Sequence, residues 1–172
     1  MINNKLLIIG AGVYGWVAKE IAESMSFFNE IAFVDDYSKI AADGSNVIGT
    51  TAELNNLINE HTSIIVAIGN PDIRLNLIDQ LINLPCKLAT LISPSAHISP
   101  TAKIDIGCIV EPMAVIHTGC KIKKGCIVSA GAVINHCSVL GNGVHVDCNA
   151  TVYGNTTVPD RTKVFSGQVF KQ

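Results

Sequence analysis

Reading every sixth residue from Ile98 through Ile104, Val110 and Ile116 to Val164 gives twelve positions, and all twelve are Ile, Val or Leu. Two residues before most of them stands a small side chain, as at Ala102, Cys108, Ala114, Cys120, Cys126 and Ala132. Three residues before, Gly or Asn recurs, as at Gly107, Gly119, Gly131, Gly143, Asn149 and Asn155. Those residues tolerate the left-handed backbone of a tight corner. A six-residue period with one apolar side chain per period buries that side chain only if successive segments wind around a shared interior. That is the signature of a β-helix.

Three hexapeptides make one triangular coil, and residues 95–166 hold four coils. With Gly and Asn at the corners in this phase, the pattern resembles the left-handed parallel β-helix. At about 1.5–3 kcal/mol per buried aliphatic side chain, the inward residues are the main stabiliser of this half. Outward apolar residues such as Ile109, Ile127 and Val133 would leave a lone prism wet, which points to self-association. Cys108, Cys120 and Cys126 fall in the small inward slot, whereas Cys137 and Cys148 fall off that phase and have no assigned role. With no CxxC pair and no secretory leader, the cysteines are expected to be reduced.

The first half reads differently. Strand-like runs at 5–9, 31–34, 63–68 and 87–92 alternate with helical stretches. One helix spans 13–25, one starts from Thr51 with Leu54, Leu57 and Ile58 as its stripe, and one spans 71–84 with Ile73, Leu77, Ile78 and Leu81 inward. This alternation predicts a small Rossmann-like parallel α/β sheet. The expected organisation is an α/β domain at 1–92 followed by a left-handed β-helix of about four coils at 93–172.

Composition narrows the function classes. Hydrophobic residues make up 48% and charged residues 15%, which excludes a disordered chain. A net charge of −2 without long runs of either sign argues against a nucleic-acid partner. The apolar runs at 6–9 and 64–68 are too short to span a bilayer. The start of the sequence leads directly into a strand with no signal-peptide layout, so a cytoplasmic address away from the membrane is expected.

Gly10-Ala11-Gly12-Val13-Tyr14-Gly15 follows a strand and opens a helix, and Asp35 closes the next strand. This is the layout of a dinucleotide fingerprint with its ribose-binding acid, in which the glycines admit a pyrophosphate to a helix N-terminus. The same glycines also fit a tight turn with no ligand. The α/β half is too short for a two-halved dinucleotide fold, so a mononucleotide ligand such as a nucleotide sugar suits it better. Among the histidines, His61 and His97 read as surface or structural. The intervals between His117, His136 and His145 match no zinc-ligand pair, so no metal is expected. His136 follows inward Ile134 at a turn, and three hexapeptides further on stands Gly154. A glycine backbone is therefore expected one coil away, about 4.8 Å from the imidazole. A general base beside an N–H donor is the pairing that acyl transfer needs.

Several segments together resemble the bacterial nucleotide-sugar acetyltransferases of the NeuD/PglD type, which act on sialic acid and bacillosamine. They are Lys5-Leu6-Leu7-Ile8-Ile9-Gly10-Ala11-Gly12, Phe33-Val34-Asp35-Asp36, and Ala67-Ile68-Gly69-Asn70 with Arg74. The hinge Leu91-Ile92-Ser93-Pro94-Ser95-Ala96-His97-Ile98-Ser99-Pro100 and the coil Ile134-Asn135-His136 with Val144-His145-Val146 complete the match. The resemblance implies an acetyl-CoA-dependent enzyme that N-acetylates a UDP-linked amino sugar in cell-surface glycan synthesis. An O-acetyltransferase on sialic acid would use the same machinery, and a non-catalytic nucleotide-sugar-binding scaffold trimer is the alternative of another class. By resemblance, Gly10, Gly12, Tyr14, Asp35, Asp36 and Gly69 hold the UDP-sugar. His136 is the general base, His145 and Gly154 contact acetyl-CoA, and acetyl-CoA lies between subunits of a homotrimer. Three departures stand out. Val13 and Tyr14 replace a Gly and an aromatic or His, Cys137 stands where an acid often follows the base, and the sequence stops at Gln172, one coil past Gly154, which implies a shortened CoA surface.

Overall fold

The computed structural model describes residues 4–171, and the chain divides into two units, Met1–Leu91 and Ile92–Gln172. In the first unit, β1 (Lys5–Ile9) lies between β2 (Glu30–Val34) and β3 (Thr62–Val66), and β4 (Lys87–Leu88) pairs with β3. All pairings are parallel. Leu6, Leu7 and Ile8 have no exposed surface. A central parallel strand is covered on both faces, and so its sequence runs apolar without alternation.

The helices are α1 (Val13–Ser24), α2 (Leu54–Leu57) and α3 (Pro71–Leu81). The start of α3 is set locally, because the Asn70 side chain accepts the N–H groups of Asp72 and Ile73 at 3.0 and 3.1 Å and Pro71 follows it. The cap near α2 is Thr50, one place before the expected Thr51. The hydroxyl of Thr51 is committed to Asp36, whereas Thr50 forms a capping box with Glu53 over a short 3₁₀ turn. The helix lasts one turn, because Ile58 is already extended. Along α3 the buried residues are Arg74, Leu75, Ile78 and Leu81. Ile73, expected inward, is 49% exposed, since α3 borders an open cleft on that side.

In the second unit every strand is a two-residue step that pairs in parallel with strands one coil away, as Ile134 does with both Ile116 and Val152. Three such sheets wall the prism. The inward aliphatics from Val110 to Val164 are at most 2% exposed. Ile98 and Ile104, on strands that head their sheets, are partly buried. The three slot cysteines are buried, and their thiols face carbonyls, with Cys120 Sγ 3.0 Å from Asn135 O and Cys126 Sγ 3.0 Å from Gly141 O. All six cysteines are free.

Corner residues from 107 to 167 recur every six positions with φ between 55° and 72°. Most are Gly or Asn, but Met113, Cys137 and Arg161 take the same conformation, at about 1–2 kcal/mol each. Cys137, off the inward-slot phase as expected, is thereby given its place: it is a corner residue, and the turn around it imposes its backbone. Cys148 stands one place before a corner, the position that His136 and Gly154 also occupy. Ile109 and Ile127, expected to be wet, are fully buried within the single chain, while Val133 is partly exposed. Their column therefore needs no second copy to cover it. Among the described residues no helix is long and apolar enough to cross a membrane.

Candidate active site

At the carboxyl ends of β1 to β3 the glycines divide by role. Gly10 has φ +108°, and a Cβ there would sit 2.8 Å from Ala67 O. A Cβ on Gly15 would collide with the Gly10 carbonyl. These two glycines are required by the protein itself, Gly10 by its backbone conformation and packing and Gly15 by packing. Gly12 and Gly69 are different, because a Cβ on either would meet no protein atom within 4 Å. Their bareness leaves room for something other than protein. Arg74, wholly buried, donates from Nη1 to Ile68 O at 2.6 Å and Gly69 O at 2.9 Å, which braces the turn that carries Gly69.

The paired acids organise backbone. Asp35 accepts the Ala11 N–H at 2.8 Å on one oxygen and the Tyr37 and Ser38 N–H groups at 2.9 Å on the other. Burial pushes its pKa up, but the three N–H groups outweigh burial and hold it below the ordinary carboxylate value. Asp36 accepts the Thr51 N–H at 2.7 Å and the Thr51 hydroxyl at 2.9 Å. A cleft of about 460 Å³ opens beside them, with Gly10, Asp35 and Asp36 on one side and Ile73, Asn76 and Gln80 of α3 on the other. Of the predicted set, Gly12, Tyr14 and Gly69 stand outside its wall. Sequence reasoning took Leu77 as core, and it does pack against the buried cluster, but it also took Ile73 as core and missed Asn76 and Gln80. Their helical spacing was visible, but its mixed polarity reads as ordinary surface.

In the β-helix, His136 is exposed in the turn between strands Val133–Ile134 and Val139–Leu140. The turn is pinned by backbone. The His136 N–H donates to Asn135 Oδ1 at 2.8 Å, and the His136 carbonyl accepts the Asn155 N–H at 2.9 Å. Behind it, the buried Ser138 hydroxyl donates to Tyr153 O at 2.8 Å and receives the Thr156 N–H at 3.3 Å, tying this coil to the next. The imidazole lies over Gly154, where a Cβ would sit 2.8 Å from both Cε1 and Nε2. Gly154 does not have a left-handed backbone, so the first thing a side chain there would disturb is the ring above it.

His145 is placed elsewhere. Its strand, His145–Val146, belongs to a different sheet from the two strands that flank His136. One chain therefore does not bring the two histidines together. His145 Nε2 lies 3.1 Å from Ser129 Oγ and 4.0 Å from Asp147 Oδ1, and its side chain is 15% exposed. Burial raises the pKa of Asp147, but the Cys148 N–H, Lys163 at 3.0 Å and His145 together bring it below the ordinary value. The Cys148 thiol is pushed up, first by burial and then by the carboxylates of Glu111 and Asp147. Among the described residues no three His, Cys, Asp or Glu side chains gather into a metal-binding group.

Residues 5–81 match the family described as the PglD N-terminal domain. No curated protein sequence matches the chain. The acetyltransferase domain of PglB from Neisseria gonorrhoeae is 33% identical, with a TM-score of 0.89 over 98% of this chain and 92% of that one. The chain belongs to the same family of hexapeptide-repeat acetyltransferases as this PglB domain. The same PglB domain in complex with acetyl coenzyme A superposes on this acetyltransferase with a TM-score of 0.73, at 31% identity over 96% and 89% of the two chains. PerB from Caulobacter crescentus, in complex with CoA and GDP-perosamine, is 22% identical over 98% and 89%, with a TM-score of 0.78, and shares the fold. In this acetyltransferase fold, an exposed imidazole over a bare glycine is an arrangement chemically able to move a proton.

Proposed function

We propose that the protein transfers the acetyl group of acetyl-CoA to the amine of a UDP-linked amino sugar, in the cytoplasm, during cell-surface glycan synthesis. The observation that carries this reading is His136 lying open over Gly154. The sugar amine attacks the thioester carbonyl while His136 takes its proton. A tetrahedral oxyanion forms, the C–S bond breaks, and the proton passes from His136 to the departing CoA thiolate. The Gly154 N–H is assigned to the oxyanion, where a fixed donor acts on charge that develops only in the transition state. The uridine is assigned to the cleft of the α/β unit, and the rest of the nucleotide sugar to the open turns outside its wall. The diphosphate faces Gly12, Gly69 and the N-terminus of α1, and the uridine lies beside Asp35 and Asp36. Tyr14, within the first turn of α1, is assigned to the sugar.

His145 is assigned to acetyl-CoA. Because one chain holds His136 and His145 on different sheets, a site that uses both is completed by a neighbouring copy, which supports a homotrimer. Light scattering is expected to give about three times the chain mass, and a monomer would overturn the assembly.

UDP is expected to raise the melting temperature, with a gain of about 2.7 kcal/mol at a hundredfold excess over its dissociation constant. Gly12→Ala provides a clean control. The new methyl meets no protein atom within 4 Å, so the apo protein should lose no more than the N-cap preference of glycine over alanine while the UDP shift disappears. Stabilisation by GDP instead of UDP would change the nucleotide, and stabilisation by NAD alone would return the dinucleotide reading. A thiol-release assay over UDP- and GDP-linked amino sugars then tests nucleotide and activity together.

A further inference from the structure

We propose that Glu111 and Ser129 are positioning residues that fix the ring of His145 through a relay running from His145 Nε2–H to the Ser129 hydroxyl and on to the Glu111 carboxylate. This rests on the assignment of His145 to acetyl-CoA. Glu111, Ser129 and Asp147 each follow a strand of the same sheet, and the strands pair in register, so the three stack at one corner of the prism. Glu111 is 7% exposed and Ser129 3%. Glu111 Oε1 accepts the Ser129 hydroxyl at 3.1 Å, and Oε2 accepts the Ala130 N–H at 3.0 Å.

The direction of the relay follows from proton counting. A hydroxyl has one proton to donate, and Ser129 directs it to Glu111. The Ser129 oxygen can then only accept from His145 Nε2, 3.1 Å away. In the neutral ring the proton is therefore on Nε2, and the ring is held at one orientation. Asp147 Oδ1, 4.0 Å from the same nitrogen, favours a proton there, while Lys163 engages its other oxygen at 3.0 Å. A carboxylate kept out of water is an expensive way to hold a corner, and apolar residues of the same volume would hold it as well. A demand on the histidine explains its presence better than stability does.

The test is the ring-nitrogen chemical shifts of His145 in the full-length protein, at alkaline pH where the ring is neutral. The wild type is expected to show a protonated Nε2. In Glu111→Gln, the single carboxamide oxygen serves the Ala130 N–H and the amino group turns to Ser129. The hydroxyl then donates to Nε2, and the proton moves to Nδ1. Ser129→Ala removes only the hydroxyl and should give a mixture of tautomers. In both variants the acetyl-CoA KM is expected to rise about tenfold, with the melting temperature checking the fold. An unchanged Nε2–H tautomer in both would overturn the relay. If the tautomer reverses while the KM stays put, the relay stands and the assignment of His145 to acetyl-CoA falls.

Discussion

Under the proposed mechanism, replacing His136 with alanine is expected to lower kcat by about 10²–10⁴-fold, the usual worth of a positioned general base. The loss falls on kcat rather than on either KM, because the imidazole acts as the amine gives up its proton and not when the substrates dock. Folding should be nearly untouched. The turn is held by the backbone of residue 136, through Asn135 Oδ1 and the Asn155 N–H, and alanine keeps both bonds. Steady-state kinetics with the melting temperature measured alongside separates the two effects. Near-normal turnover in the variant would mean that the base lies elsewhere, or that the amine arrives already deprotonated.

Gly154→Ala is expected to lower kcat by about 10²-fold, the scale of a reacting group displaced by roughly an ångström. Its methyl would sit 2.8 Å from Cε1 and Nε2 of His136, and no left-handed backbone makes alanine unwelcome there. The exposed ring is what gives way. A double-mutant cycle isolates the cause. If the methyl acts only by displacing the imidazole, Gly154→Ala is silent in a His136→Ala background. If it still lowers the residual rate there, the glycine acts on the acetyl carbonyl as well.

The β-helix was legible because each coil repeats its burial pattern, so one inward aliphatic per hexapeptide gives the strands and their register together. His136 over Gly154 followed from counting one coil forward. What escaped were features that packing decides against local preference. Met113, Cys137 and Arg161 carry no signal for a left-handed corner, because the coils on either side impose that conformation. Ile73 looks like core on a helical wheel, yet it is half exposed, and α3 turns Arg74, Leu75, Ile78 and Leu81 inward. The pair Asp35-Asp36 reads as free ligand-binding acids, whereas both spend oxygens on backbone N–H groups. Glu111 and Ser129 stand a whole coil apart, each following one of two strands that pair in register, where no short motif would link them.

The stacking of His136 on Gly154 is set by chain length alone, since the strands before them pair coil upon coil with no inserted loop between. A deletion of a single residue between them would turn an inward side chain to solvent and slide the glycine from beneath the ring in one step. Changes in length can persist only as whole coils or as excursions thrown out at a corner. Descendants of this sequence could thus exchange nearly every outward residue and still be recognised by that interval. Heredity here acts on a count as much as on an alphabet.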